Sequence, residues 1–228
     1  MDRLVFTSLG SISSQSHMRT QITNNLANVS TIGFKQSFAV AAQSIDVKGE
    51  GFASRTSFKT IGQDVINLKA GVTNRTGRAM DVALQESTVL GVQGKDDDVA
   101  FTRRGDLRVS PLGLIENSAG HLILGENGPI NVPPGQMVTI SADGSVFGTL
   151  PGSPDLPPVL LGTLMLRDAS EMPLTRRTDG LFEPVQQQFK GADFPTGPLP
   201  ASLFSGSLEG SNVNPIEAMI ELMDFSRS

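Results

Sequence analysis

The apolar residues of this chain change their spacing twice, and that switch constrains the fold more than any single motif. Near the N-terminus, Val5, Leu9, Ile12, Met18, Ile22, Leu26 and Val29 recur at helical intervals. From about residue 70 to 207 the pattern becomes short apolar or alternating runs cut by turn formers, and after Pro215 a helical period returns. A helix-period pattern does not settle as a strand, nor the reverse, so the sequence predicts a β body flanked by two amphipathic helices.

The N-terminal stripe lines up better on a 3.5-residue wheel than on a 3.6-residue wheel, where its first three members drift from the last four by roughly a quarter turn. That is the repeat of a coiled-coil seam, interrupted here by Gln15, Ser16 and Arg19. An ordinary surface helix packed on its own domain is the competing reading. The helix runs out in "NNLANVSTIGFK", residues 24–35. Asn28 and Ser30 can satisfy orphan backbone groups there, Gly33 can take positive φ where the chain turns, and Phe34 can pin the next segment against a neighbour.

Residues 35–69 hold no sustained period and read as an irregular, extended connector. In the β region, "GKDDD", residues 117–120, the Pro133, Pro134, Gly135 break and the Asp143, Gly144 pair mark hairpin tips. One turn per roughly 8 to 12 residues is the spacing of a sandwich or barrel. "GTLPGSPDLPPVL" reads as a stiff loop or edge, and "VLLGTLMLRD" as a strong strand. At the C-terminus, Asn214 is a good N-cap, Pro215 suits the first helical position, and Glu217 can reach back to the cap. Ile216, Met219, Ile220 and Met223 then form one apolar stripe.

The expected fold is therefore mainly β with terminal α-helices. An N-terminal helix (1–34) and a C-terminal helix (208–228) pack as one discontinuous, coiled-coil-like layer, joined through the connector (35–69) to a central all-β domain (70–207). Short helices with an interrupted seam are marginal alone in water and should order on assembly.

Composition narrows the chemistry. A net charge of -5 offers no concentrated basic face for nucleic acid or anionic lipid. With no Cys there is neither a disulfide nor a thiolate nucleophile. No run reaches the roughly 20 apolar residues of a membrane span, and the start lacks the apolar core and cleavage pattern of a removable signal. His17 and His121 sit in different architectures, so no His-based metal site or catalytic pair is expected. Asp96, Asp97 and Asp98 lack the ligand spacing of a Ca²⁺ loop, and "GEG" at Gly49 to Gly51 lacks the tail of a phosphate loop. No catalytic residue, cofactor or metal is expected. Two helices with apolar seams on a β body are instead the layout of an assembly unit.

Four stretches carry a resemblance. "NNLANVSTIGFK", "TGRAMDVAL" with "FTRRGDLRVSPLGLIENSAGHLILGENGPINVPPG", "VTISADGSV" and "SGSLEGSNVNPIEAMIELM" follow in order along nearly the whole chain. Together they resemble the axial proteins of the bacterial flagellum, the group of rod and hook proteins, and "MDRLVF" is similar to the start of proximal rod members. Two departures stand out: "QESTVLGV" replaces the usual Gly-x-Gly-Phe-Phe type stretch, and the last helix is shorter than the family's. The resemblance implies a non-enzymatic subunit of the basal-body rod, in the part that crosses the periplasm. It would be exported through the flagellar type III apparatus and polymerise with other rod proteins and with copies of itself to transmit torque. On that reading Val5, Leu9, Ile12, Met18, Ile22, Leu26, Asn28, Gly33, Phe34, Ile216, Met219, Ile220 and Met223 are the subunit-contact residues. A distal rod protein or another axial protein of the same family is one alternative, and a periplasmic carbohydrate-binding or hydrolytic β protein is another; without Trp or Tyr the second has little with which to stack a sugar.

Overall fold

Helical ends and a β middle frame the computed structural model, which describes residues 2–38, 43–46, 56–59, 64–152 and 157–227, with side chains described for 15–38, 64–152 and 157–224. Helix α1 spans Asp2–Ala27 and helix α2 spans Pro215–Arg227. Among the described residues no helix is long and apolar enough to cross a membrane.

The main sheet has seven strands in the order Ser37–Phe38, Val65–Ile66, Leu174–Arg176, Phe182–Pro184, Val99–Thr102, Thr88–Gln93, Leu166–Asp168, every neighbouring pair antiparallel. It is covered on both faces. Along Thr88–Gln93, Val89 enters a cluster with Phe101, Leu174, Phe182 and Phe194, whereas Leu90 and Val92 join Val82, Leu107, Ile123, Val146 and Leu203 on the other side. A strand buried on both faces has no polar side to show, which is why this stretch reads as an unbroken apolar run. Gly91 lies within it because a Cβ there would come 2.5 Å from the sulfur of Met165. "QESTVLGV", the first departure from the family pattern, thus supplies most of a central strand.

A second sheet joins Met137–Ile140, Ser145–Thr149 and Val159–Thr163, with a bulge between Val146 and Phe147. Two short pairings fold the end of the β region back beside its beginning: Val82–Leu84 with Leu203–Ser205, and Thr73–Arg75 with Ser207–Glu209. They bring the entrance of α2 next to the exit of α1. Among its described residues the segment read as an irregular connector holds four short strands, for Ser37–Phe38 pairs with Val65–Ile66 and Gln43–Asp46 with Thr56–Lys59.

The coiled-coil-like layer is a correction. Among the described residues there are two α-helices on a mostly β structure, and among the described side chains they meet through one small cluster rather than a seam. Ile22, Phe34, Val213 and Ala218 form it, with Leu26, Val29 and Leu222 at its margin. The stripe assigned to the seam faces away: Ile216 is 68% exposed and Ile220 50%, and Met219 and Met223 are exposed as well. Residues 15–20 of α1 are likewise exposed. The reason is local: among the described side chains the α2 residues in this cluster are Ala218 and Leu222, on the side of the helix away from Ile216, Met219 and Ile220. The side chains of Val5, Leu9 and Ile12 lie outside the described residues.

Candidate functional site

Several of the bonds that tie the helices to the β body converge at the exit of α1. Asn28 closes the helix there: its side-chain amide donates to the Asn24 carbonyl at 2.9 Å, and its carbonyl oxygen accepts from the Thr31 hydroxyl at 3.1 Å. Ser30 is exposed, so the hydroxyl that completes this cap is that of Thr31. Asn25 is buried and its amide exchanges two hydrogen bonds of 3.3 Å with the backbone of Ser37, holding the first strand to the helix. Gly33 has φ +67°, and its N–H donates to the Glu209 carbonyl at 2.8 Å. A Cβ on Gly33 would sit 2.4 Å from the Arg103 carbonyl oxygen, so the position tolerates no side chain.

Behind Gly33 lies a buried ion cluster. Lys35 Nζ donates to Glu209 Oε1 at 2.6 Å and to the Lys69 carbonyl at 2.8 Å; Arg103 Nε donates to Glu209 Oε2 at 2.8 Å. The side chains of Lys35 and Arg103 are wholly buried. Burial, and next the positive charge of Arg103, lower the Lys35 pKa to about 8 against the pull of Glu209. Arg176 makes a second cation contact, its guanidinium 3.8 Å from the centre of the Phe34 ring. It also donates to Asn24 Oδ1 at 3.2 Å and to the Lys35 carbonyl, and burial lowers its pKa to about 10.

An open cleft of about 380 Å³ lies over this exit, between Asn28, Gly33 and Phe34 on one side and Arg104, His121 and Arg176 on the other. Its charged groups are engaged in the protein's own contacts: Arg104 is paired with Asp106, Arg177 with Asp98 and Asp179. The two histidines are apart, His17 at 3.0 Å from Asp64 and His121 beside Asn117. Among the described residues no group of three or more His, Asp or Glu is placed to hold a metal ion. The arrangement clamps segments together.

The residues expected to contact subunits thus divide. Ile22, Leu26 and Phe34 belong to the cluster between the helices, and Asn28 and Gly33 shape the exit. Met18, Ile216, Met219, Ile220 and Met223 are exposed. Sequence reasoning did not single out Lys35, Arg103, Glu209 or Arg176. The first three lie inside the stretches that carried the resemblance, but their charges read as surface until the fold pairs them.

Two family models match the chain. The model described as flagellar hook protein FlgE/F/G D1 domain covers residues 85–148, and that described as flagellar basal body rod FlgEFG protein C-terminal covers 205–228. The first contains the central strand and Arg103, the second Glu209 and α2. Over its full length the chain is 36% identical to the flagellar basal-body rod protein FlgF of Salmonella typhimurium, covering 90% of that relative. The chain belongs to the FlgF flagellar basal-body rod protein family. The FlgF of Escherichia coli is 35% identical over the same share of both chains. A rod protein named FlgG, from Buchnera aphidicola, is 28% identical over 91% of this chain and 84% of its own. Membership of the rod-protein family makes the chain a structural subunit of the flagellar basal-body rod and does not favour a carbohydrate-binding or hydrolytic β protein.

Proposed function

We propose that this rod subunit assembles with other axial proteins, and with copies of itself, through its terminal helices, so that the resulting shaft transmits torque. The observation that carries this is the exposed apolar face of α2, where Ile216, Met219 and Ile220 are each at least half exposed although spaced to share one side of the helix. A helix face of this kind gains from burial against a partner. Met18 extends the exposed apolar surface on α1, and Val5, Leu9 and Ile12 continue the same spacing in the sequence. Ile22, Leu26, Asn28, Gly33 and Phe34 serve assembly differently, by fixing how the two helices leave the body.

The higher identity to the FlgF proteins of Salmonella typhimurium and Escherichia coli, 36% and 35%, than to the FlgG relative, 28%, is what supports a place in the proximal rather than the distal rod. Delivery through the flagellar type III export apparatus with the N-terminus retained, and no catalytic role, complete the proposal. It is tested by exchanging Met219 and Ile220 for glutamate in a cell without its own copy. Helicity and thermal unfolding of the purified chain should stay as in the wild type while motility is lost; full motility would sink the proposal.

A further inference from the structure

Three stretches of chain cross between the helices and the β body: residues 33–35 leaving α1, 67–71 entering the β region, and 209–213 leading to α2. Backbone and amide bonds stitch them together. Gly33 N–H donates to the Glu209 carbonyl at 2.8 Å, Gly210 N–H to the Val72 carbonyl at 2.8 Å, and Asn212 N–H to the Phe34 carbonyl at 3.3 Å. The Asn212 side chain accepts from Gln36 N–H at 2.7 Å and donates to the carbonyls of Asn67 and Lys69 at 2.8 and 3.1 Å.

All of these bonds surround one carboxylate. Glu209 Oε1 accepts from Lys35 at 2.6 Å and from Gly71 N–H at 2.9 Å, while Oε2 accepts from Arg103 at 2.8 Å. Arg103 is anchored in the body by the carbonyls of Leu84, Glu86 and Thr88. A single side chain therefore touches the exit of α1, the segment entering the β region, the body and, through its own backbone, the entrance of α2.

We propose that Glu209 is a rivet: its carboxylate fixes the paired helices and the β body as one rigid unit, and its neutralisation frees the helices together without unfolding the body. Removing it would leave Lys35 and Arg103 as two neighbouring buried cations with no counter-charge, a far larger penalty than a lost surface pair. The body would survive, because its two hydrophobic cores share no residue with the cluster of Ile22, Phe34, Val213 and Ala218. In the rod such a unit passes torque from helices to body without a compliant hinge. That consequence rests on the proposed assembly, whereas the rivet itself is read on the isolated chain.

The experiment is amide hydrogen exchange on the full chain, comparing wild type with Glu209→Gln and Lys35→Met. In Glu209→Gln the N–H groups of Gly33, Gln36, Gly71, Gly210 and Asn212 should exchange about tenfold faster or more, all together. Those of Gly91 and Val99, bonded within the body, should keep their rates. Lys35→Met should accelerate the same set by less, since the Arg103 and Gly71 bonds to Glu209 survive. Unchanged rates at the junction, acceleration at one crossing alone, or acceleration spreading to Gly91 and Val99 in either variant would each overturn the proposal.

Discussion

Lys35 makes the stability of the chain depend on pH in a direction opposite to a surface lysine with a carboxylate partner. Its folded pKa of about 8 lies below the ordinary value of 10.5, because burial and Arg103 penalise the charged form. Between those values the unfolded chain holds a proton that the folded chain has lost, so this group's contribution to stability rises with pH across the window, and its penalty is fully present below about pH 8. Urea unfolding of wild type and Lys35→Met at pH 8 and pH 10.5 checks this: the wild type should gain on the variant at the higher pH, and parallel behaviour would refute it. Gly33 marks how far a single residue can be read from sequence. Its turn is a local matter, legible in the run of amides before it. Its need to be bare is not, because the Arg103 carbonyl that a Cβ would strike comes from a distant part of the chain, just past the strand Val99–Thr102. Lys35, Arg103 and Glu209 were hidden for the same reason, since a charged residue is expected at the surface until a partner is known.

Helix α2 separates what a periodic pattern says from what it leaves open. Its start was written in the sequence and forms accordingly: Asn214 Oδ1 accepts from Ile216 N–H at 3.1 Å and Glu217 N–H at 3.5 Å, with Pro215 at the first helical position. Asn214→Ala should cost this helix about 1 kcal/mol, visible as reduced helicity at 222 nm and faster exchange at Ile216 and Glu217; unaltered exchange would show that the cap contributes nothing. The apolar stripe was equally visible, but spacing reports only that a face seeks cover. In the folded chain the cover over α1 is supplied by Ala218 and Leu222, on another side of the helix. Two of the strands between residues 35 and 69, those that join the main sheet, failed to show for a different reason. Ser37–Phe38 and Val65–Ile66 are two residues each, too short to display alternation.

Across the whole molecule, turn tips defined most strands of the body, but no local pattern told which strands are neighbours. The main sheet places Val65–Ile66 beside Leu174–Arg176 and Phe182–Pro184 beside Val99–Thr102, pairings that only the closing of long loops can establish. Both hydrophobic cores press on this one sheet, so the body should unfold as a unit. Phe101, wholly buried with its ring centre 4.7 Å from that of Phe194, tests this. Phe101→Ala should cost about 3–5 kcal/mol and shift a single urea transition. Two separated transitions would mean that the cores are independent. Arg103 carries a consequence for how such chains diverge. Four of its N–H directions are committed, three of them to carbonyls around a turn where Glu86 has φ +43°. A lysine offers three donors from one point and cannot span that fork. Drift that is tolerated over much of the sequence must therefore halt at this position, or change the turn, the carboxylate and the guanidinium in the same lineage.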